Sequence, residues 1–291
     1  MRRVHAGRGR VLEAAHRTDA RARCKVPVPV AALAGGTIMI MTLSPPLTAL
    51  HQLDFQLADC GYAVLDAASL ARLADVALAD LAAWAPLWDE LPPDAFLKDG
   101  GRYRRRRHAC FIVQPPSGTV VAQPHRAHWQ PVAYNALHGG IERWFAPLQP
   151  ALAESPAWSR LLCALAAHAA VLRGLAPSAE PWFVEAHPFR IDTTDGIGRP
   201  TPEGAHRDGV DLVVVVLVAR ATIKGGETRV FDARGPQGLR FTLTEPWSAL
   251  LLDDERVIHE STPIQPIDAA GGGHRDTLVL TFRRGGFQGP V

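Results

Sequence analysis

From Trp182 onward the chain is a succession of short apolar runs, each cut off by turn residues. The runs occupy 183–191, 210–219, 227–231, 239–244, 248–252, 257–260 and 277–283. Between them stand Gly225-Gly226, Arg234-Gly235-Pro236, Glu245-Pro246, Asp253-Asp254 and Gly271-Gly272-Gly273. Short strands at this spacing point to an all-β sandwich or barrel, architectures that leave few strand edges open. Pro188 has no N–H to give to a ladder, so its strand is expected at an edge or a bulge.

The first half of the chain reads differently. Residues 50–57 begin the globular part and 61–65 form a short strand. Ser69 is placed to cap a helix over 70–84, whose apolar residues recur at three and four. Residues 141–145 follow Gly139-Gly140 as a short helix. Residues 157–172 are apolar at most positions, as a buried helix requires, and Gly174 stops it. Helices that precede the strands are expected on the outside of the sheets. The fold class is therefore mainly β with flanking helices, in a single domain over 47–291.

Composition sets the class and excludes others. A hydrophobic fraction of 47% and a mean hydropathy near zero suit a globular protein with a full core. No run of 18 apolar residues occurs, so neither a spanning helix nor a membrane partner is expected. The four cysteines, Cys24, Cys60, Cys110 and Cys163, show no CxxC or zinc spacing and read as reduced thiols of a cytoplasmic protein. Residues 1–25 hold eight Lys/Arg against two Asp/Glu, so this segment carries +6 and the remainder −4. A mildly acidic body is a poor nucleic-acid surface. Residues 1–46 have neither helix nor strand period. They read as a disordered basic tail, as a targeting segment, or, the reading favoured, as an extension upstream of a true start at Met39 or Met41.

The chemistry gathers around Pro200-Thr201-Pro202-Glu203-Gly204-Ala205-His206-Arg207-Asp208-Gly209. In an extended strand His206 and Asp208, at i and i+2, point to one face. An imidazole and a carboxylate on one face are two-thirds of a metal site, and His259 is the candidate third ligand. A His-x-Asp pair alone is a weak signal. The order His-x-Asp, Gly225-Gly226-Glu227-Thr228, His259, Arg275-x-Thr277 is a strong composite one. Two histidines and one carboxylate with open positions suit non-haem Fe(II) that activates oxygen, although zinc enzymes use the same set. Arg275 and Thr277 help to decide between them. On a strand they share a face, where guanidinium and hydroxyl can grip the far carboxylate of a diacid that chelates the metal at its other end. Arg283 is the fallback. Two further features carry less. The basic run 102–108 reads as a strand with solvated alternate residues, although one of its arginines is suited to hold a substrate carboxylate. His125, His128 and His138 lack a metal-site spacing and read as surface or hydrogen-bonded histidines.

The Pro-Thr-Pro-Glu-Gly-x-His-x-Asp-Gly stretch, with Gly225-Gly226-Glu227-Thr228, His259 and Arg275-Asp276-Thr277, resembles the bacterial 2-oxoglutarate/Fe(II) dioxygenases. That family contains the free L-isoleucine 4-hydroxylases and homologues of the biofilm, stress and motility protein A. The resemblance covers roughly 61–282 and includes Tyr134-Asn135 through Trp144-Phe145. It implies a double-stranded β-helix (jelly roll, cupin-like). It implies Fe(II) held by His206, Asp208 and His259, and 2-oxoglutarate held by Arg275 with help from Thr277. The reaction it implies consumes O2, converts 2-oxoglutarate to succinate and carbon dioxide, and hydroxylates an unactivated C–H bond. Substrate-contacting residues cannot be matched by motif, and Arg190 and Asp211 are the positions expected nearest the substrate. Arg190 reads equally well as a structural ion-pair partner. The leading expectation is a hydroxylase of a free, aliphatic L-amino acid. Competing readings are the same chemistry on another small metabolite or a protein side chain, and a stress or biofilm factor with metal bound but little turnover. The sequence leaves a homo-oligomer open.

Overall fold

The structure, a computed structural model, describes residues 43–176, 180–268 and 271–290. The readings made for the first 42 residues, and for Cys24, lie outside the described residues. The strands are β1 (Tyr62–Leu65), β2 (Arg104–Arg106), β3 (Ala109–Gln114), β4 (Thr119–Ala122), β5 (Trp182–Asp192), β6 (Leu212–Ala221), β7 (Ile223–Gly225), β8 (Thr228–Asp232), β9 (Gly238–Phe241), β10 (Ala249–Asp253), β11 (Val257–Ser261), β12 (Ile264–Pro266) and β13 (His274–Arg283). The α-helices are α1 (Leu53–Cys60), α2 (Ala67–Leu73), α3 (Leu78–Ala82), α4 (Pro150–Ala153) and α5 (Pro156–Leu172).

One large antiparallel sheet runs β1-β10-β6-β13-β5-β3-β4, with β2 also on β5. A smaller sheet, β11-β8-β9, and the pair β12-β7 complete the strands. The period of two sorts the large sheet into faces. Val214, Val216, Leu278, Leu280 and Phe282 pack in one core with Trp88 and the α5 residues Trp158, Leu161, Leu162, Leu165 and Ala169. Their neighbours Val213, Leu217, Leu250 and Leu252 pack in a second core with Val230, Phe241 and Val257, which belong to or flank the smaller sheet. Helices therefore cover one face of the large sheet and the small sheet covers the other, as in a double-stranded β-helix. The site lies on the inter-sheet side.

Three expectations need correction. The helix over 70–84 is two helices, α2 and α3, because the chain turns at Asp75, whose φ of 52° no continuing helix accepts. Its cap is Asp66, whose carboxylate accepts from the Ser69 N–H at 2.7 Å, rather than Ser69 itself. Residues 141–145 are not helical: Arg143 forms an isolated antiparallel bridge with His128. The third correction concerns Pro188, which lies in an interior strand. Along β5, β2 pairs with Phe189, Arg190 and Ile191, while β3 pairs with Trp182 through Ala186. Pro188 sits where one partner gives way to the other, so its missing N–H breaks no ladder. Among the described residues, no helix is long and apolar enough to cross a membrane.

Candidate metal centre

His206 and Asp208 do not lie on a strand but on the loop before β6. A single antiparallel bridge holds this loop to β11: His206 N–H donates to His259 C=O and His259 N–H to His206 C=O, each at 3.0 Å. Residues paired this way present their side chains to one face, which brings the distal histidine beside the first. The buried Asp254 carboxylate accepts from the backbone N–H groups of Asp208 (3.0 Å), Gly209 (2.7 Å) and Val210 (3.1 Å) and so shapes the loop. Gly209 is required there. Its φ is +76°, and a Cβ would stand 2.5 Å from the Tyr134 ring.

The three side chains converge. His206 Nε2 is 3.9 Å from Asp208 Oδ1, and His259 Nε2 is 3.8 Å from Asp208 Oδ2. Donors bonded to one ion at about 2.0–2.2 Å lie no more than about 4.4 Å apart, so these separations leave room for a shared cation. His206 Nδ1 donates to Gly204 C=O at 2.9 Å, which leaves Nε2 with its lone pair facing the site. Asp208 Oδ1 accepts from Gln130 Nε2 at 3.0 Å, and Gln130 Oε1 accepts from Arg143 and Asn135. Without an ion the charges are ill-matched. Burial, with Glu203 alongside, raises the Asp208 pKa. Burial, helped by His206, pushes His259 down to about 3. Burial also works against a charged His206, but Asp208 and Glu203 outweigh it and raise its pKa. A bound dication would favour an ionised carboxylate and neutral imidazoles, so the donor set fits a divalent metal such as Fe(II).

Arg275 and Thr277 line the same cavity, as do Arg283 and the three metal-site residues. Arg275 is 4% exposed and its Nε has no partner among the described residues. Burial, reinforced by Arg220, lowers its pKa to about 10. A buried guanidinium with an unengaged donor fits a carboxylate ligand. The Gly-Gly-Glu-Thr stretch serves this arginine: a Cβ on Gly226 would lie 2.9 Å from Arg220 Nη1 and 3.6 Å from Arg275 Cδ. Glu227 instead pairs outward with Arg229 at 2.9 Å.

The two positions expected near the substrate are engaged elsewhere. Arg190 is bonded to Asp276 at 2.8 and 2.7 Å and to Asp89 at 2.8 Å. It is the even-numbered residue between His187, Phe189 and Ile191, which line the cavity, so it points to the opposite face of β5. The ion-pair reading of Arg190 is the one its contacts match. Asp211 joins Arg173, just after α5, to Arg284, each at 2.8 Å, and lies outside the cavity lining.

Several cavity residues escaped the sequence reading. Arg104 and Arg106 of β2 are buried and line the cavity, while Arg105 between them faces outward toward Asp192 at 3.7 Å. The basic run is thus a strand with alternate residues outward, as expected, but two of its arginines rather than one point into the cavity. Arg106 packs its guanidinium against the rings of Phe145 and Phe189. No sequence spacing joins His128 to its partners. It belongs to a buried cluster with His108, Glu185 and His187, whose polar atoms also lie within 4.8 Å of one another. His125, by contrast, donates to Phe145 C=O at 2.7 Å, and His138 Nε2 accepts from Lys98 N–H at 3.5 Å. The alternation Phe183, Glu185, His187, Phe189, Ile191 was visible in the sequence, but nothing there told which parity faces inward.

This cluster makes stability depend on pH. Burial lowers the pKa of His108, brings His128 to about 3, and pushes His187 well below the ordinary value, where His128 and Arg106 add to it. An unfolded histidine titrates near 6.5, so below that pH the unfolded chain takes up protons that the native cluster refuses. Stability is thus whole above about pH 6.5 and is lost as pH falls, by about 1.4 kcal/mol per pH unit for each histidine that stays neutral. Denaturant unfolding of metal-free protein between pH 7.5 and 5 is expected to show a slope that grows below about pH 6.5 to about three to four protons, His259 adding to the three histidines of the cluster. His128→Gln should reduce that slope by about one. A flat profile would mean that the cluster is protonated in the native state.

The chain is similar to a known family and to several solved structures. The model of the 2OG-Fe dioxygenase family matches residues 85–281. The crystal structure of a bsmA homologue from Methylobium petroleophilum PM1 is 54% identical over 85% of this chain and 98% of its own, with a TM-score of 0.80. IDO from Bacillus thuringiensis shares the fold at 17% identity and a TM-score of 0.65, over 83% of this chain and all of its own. The Fe(II)/α-ketoglutarate-dependent dioxygenase TqaL does so at 20% and 0.60, over 81% of this chain and 87% of its own. No curated protein matches. With the family match running over more than half of the sequence, and a His/Asp/His set gathered beside a buried arginine, the chain belongs to the 2OG-Fe dioxygenase family.

Proposed function

We propose that the protein hydroxylates a free, aliphatic L-amino acid. The family implies Fe(II), 2-oxoglutarate and O2 as cofactors and co-substrates. The substrate reading rests on one observation: the cavity that holds the metal triad also carries buried groups of both signs. Arg104 Nη2, Arg106 Nε and Arg143 Nε are buried donors without partners among the described residues, and the Glu185 carboxylate stands in the same lining. A zwitterion satisfies both signs at once. A plain carboxylic acid or amine satisfies one and leaves the other uncompensated, which is costly in a buried site.

In this reading His206, Asp208 and His259 hold the iron, and Arg275 with Thr277 holds the far carboxylate of 2-oxoglutarate. Bound Fe(II) supplies the coupled oxidation, in which one oxygen atom of O2 enters succinate, carbon dioxide leaves, and the other oxygen becomes the new hydroxyl. The protein's own part is positioning and exclusion of water. Gln130 links Asp208 to Arg143, so the guanidinium that orients the substrate carboxylate is two hydrogen bonds from a metal-site residue. Phe183, Phe189, Ile191 and Val279 supply the apolar wall for an aliphatic side chain.

The test is direct. Purified protein with Fe(II), 2-oxoglutarate and ascorbate is assayed for succinate against the twenty amino acids, with mass detection of a product heavier by one oxygen. Succinate formed above the substrate-free rate, with a hydroxylated amino acid, is the expected result. No stimulation by any amino acid would overturn the substrate assignment.

A further inference from the structure

We propose that Glu185 is the anchor for the substrate's α-ammonium group, so that the residue selects amino acids over their deaminated counterparts. The inference rests on the amino-acid reading above and adds to it a named residue and a basis of selectivity. Every polar contact of Glu185 within the protein falls on one oxygen. Oε2 lies 2.7 Å from His128 Nδ1, 2.9 Å from His108 Nε2 and 3.7 Å from His187 Nε2. Oε1 has no protein partner among the described residues, and Glu185 lines the cavity. A carboxylate oxygen left open in a lining otherwise rich in guanidinium calls for a cationic donor, and an α-ammonium is one of the right size.

The cluster has the donor types of a metal site, but its geometry argues for hydrogen bonding. The contacts to Oε2 at 2.7 and 2.9 Å are hydrogen-bond lengths, whereas the donors of the His206 set stand 3.8–3.9 Å apart, with space for an ion. Arg106 Nη2 is 2.6 Å from His187 Nδ1. A guanidinium only donates, so Nδ1 holds the lone pair and the ring proton sits on Nε2, toward Glu185. That nitrogen stands 3.7 Å from Oε2, too far for a hydrogen bond, and with its proton in place it has no lone pair to offer a metal. Arg106 itself would also repel a second dication. The imidazoles instead fix the carboxylate. Burial alone would raise the Glu185 pKa, but the His128 and His108 N–H groups hold it well below the ordinary range. It therefore meets a substrate as an anion already oriented.

Glu203 is the competing anchor, since it lines the same cavity and its buried Oε2 has no partner. Its Oε1, however, is 3.6 Å from His206 Nε2, so the cation held by His206 is its nearest positive charge.

The experiment compares an amino acid that is turned over with the carboxylic acid that lacks only its amino group. Anaerobic calorimetry with Fe(II) and 2-oxoglutarate gives the two affinities, and product analysis gives the two values of kcat/KM. Wild-type protein is expected to prefer the amino acid by at least about a hundredfold, because a site built for a buried N–H donor rejects the analogue without it. Glu185→Gln should shrink that ratio by most of its size, chiefly through the affinity for the amino acid, while Glu203→Gln keeps the preference. Equal binding of both acids by wild-type protein would overturn the proposal without any variant having to fold. So would a preference that survives Glu185→Gln, or one that Glu203→Gln alone removes; both leave the hydroxylase assignment standing. If no amino acid is turned over, the hydroxylase assignment falls and takes the anchor with it. Zinc content gives an independent readout: His206→Ala/His259→Ala protein should retain no ion. An ion retained there, and lost on adding His128→Ala, would make Glu185 a metal ligand and end the proposal.

Discussion

Asp208→Ala protein is expected to hold Fe(II) at least roughly a hundredfold more weakly than wild type and to form no measurable succinate. Asp208 is the anionic member of the triad, and each of its oxygens faces a different imidazole, at 3.9 and 3.8 Å. Structural four-ligand zinc sites bind their ion by about 10–16 kcal/mol, so one ligand carries about 2.5–4 kcal/mol, which is roughly two to three orders of magnitude. The same substitution should not weaken the metal-free fold. Burial raises the Asp208 pKa, so its charge at neutral pH is a cost to folding rather than a gain. Asp208→Asn keeps the shape and the Gln130 contact while removing the charge, and should fall between the two. Calorimetry with Fe(II) and denaturant unfolding of metal-free protein check both halves. A variant that is unstable without metal yet still binds iron would assign Asp208 a structural role.

The second large effect is on 2-oxoglutarate. Arg275→Met should raise the concentration of 2-oxoglutarate needed for half-saturation by roughly thirtyfold to several thousandfold. Losing one partner of a buried, hydrogen-bonded charge pair costs about 2–5 kcal/mol. Iron affinity should change far less, because Arg275 is not among the three groups that converge on the ion site. Arg275→Lys keeps the charge but loses the planar fork, and should recover only part of the loss. The metal-free Arg275→Met protein is expected to be no less stable than wild type. Burial already disfavours that guanidinium in the absence of a ligand, and its Nε has no internal partner. Anaerobic titration with 2-oxoglutarate reads the first effect and thermal unfolding the second. If half-saturation stays at the wild-type value, the co-substrate is held elsewhere, with Arg283 the next residue to test on the same lining.

The elements that local pattern specifies were legible from the start. The strand runs 183–191 and 257–260 fall within β5 and β11, and the run 248–252 and the apolar segment 157–172 match β10 and α5 to within a residue. The apolar spacing of 70–84 continues through Asp75, where the helical backbone does not. The reading of His206-x-Asp208 reached the right pair for a partly wrong reason. The two residues sit on a loop, and it is the bridge to His259 and the Asp254 carboxylate, not a strand, that aims them.

What the sequence by itself determined is the class of chemistry and the seven longer strands from Trp182 onward, though not the short β7 and β12. Both follow from residue type and spacing, which are properties of neighbours along the chain: a His-x-Asp, a distal His, an Arg-x-Thr, and apolar runs cut by turns. Which side chains meet was decided only by the tertiary structure. Shifting inward parity on β5 by one residue would put Arg190 in the cavity and Glu185 outside it, with the same sequence and the same strand. That parity is set by the register against β13 and by which face the helices cover. His108, His128, Glu185 and His187 meet because β5 and the segments on either side of β3 fold together, at sequence distances no local pattern records.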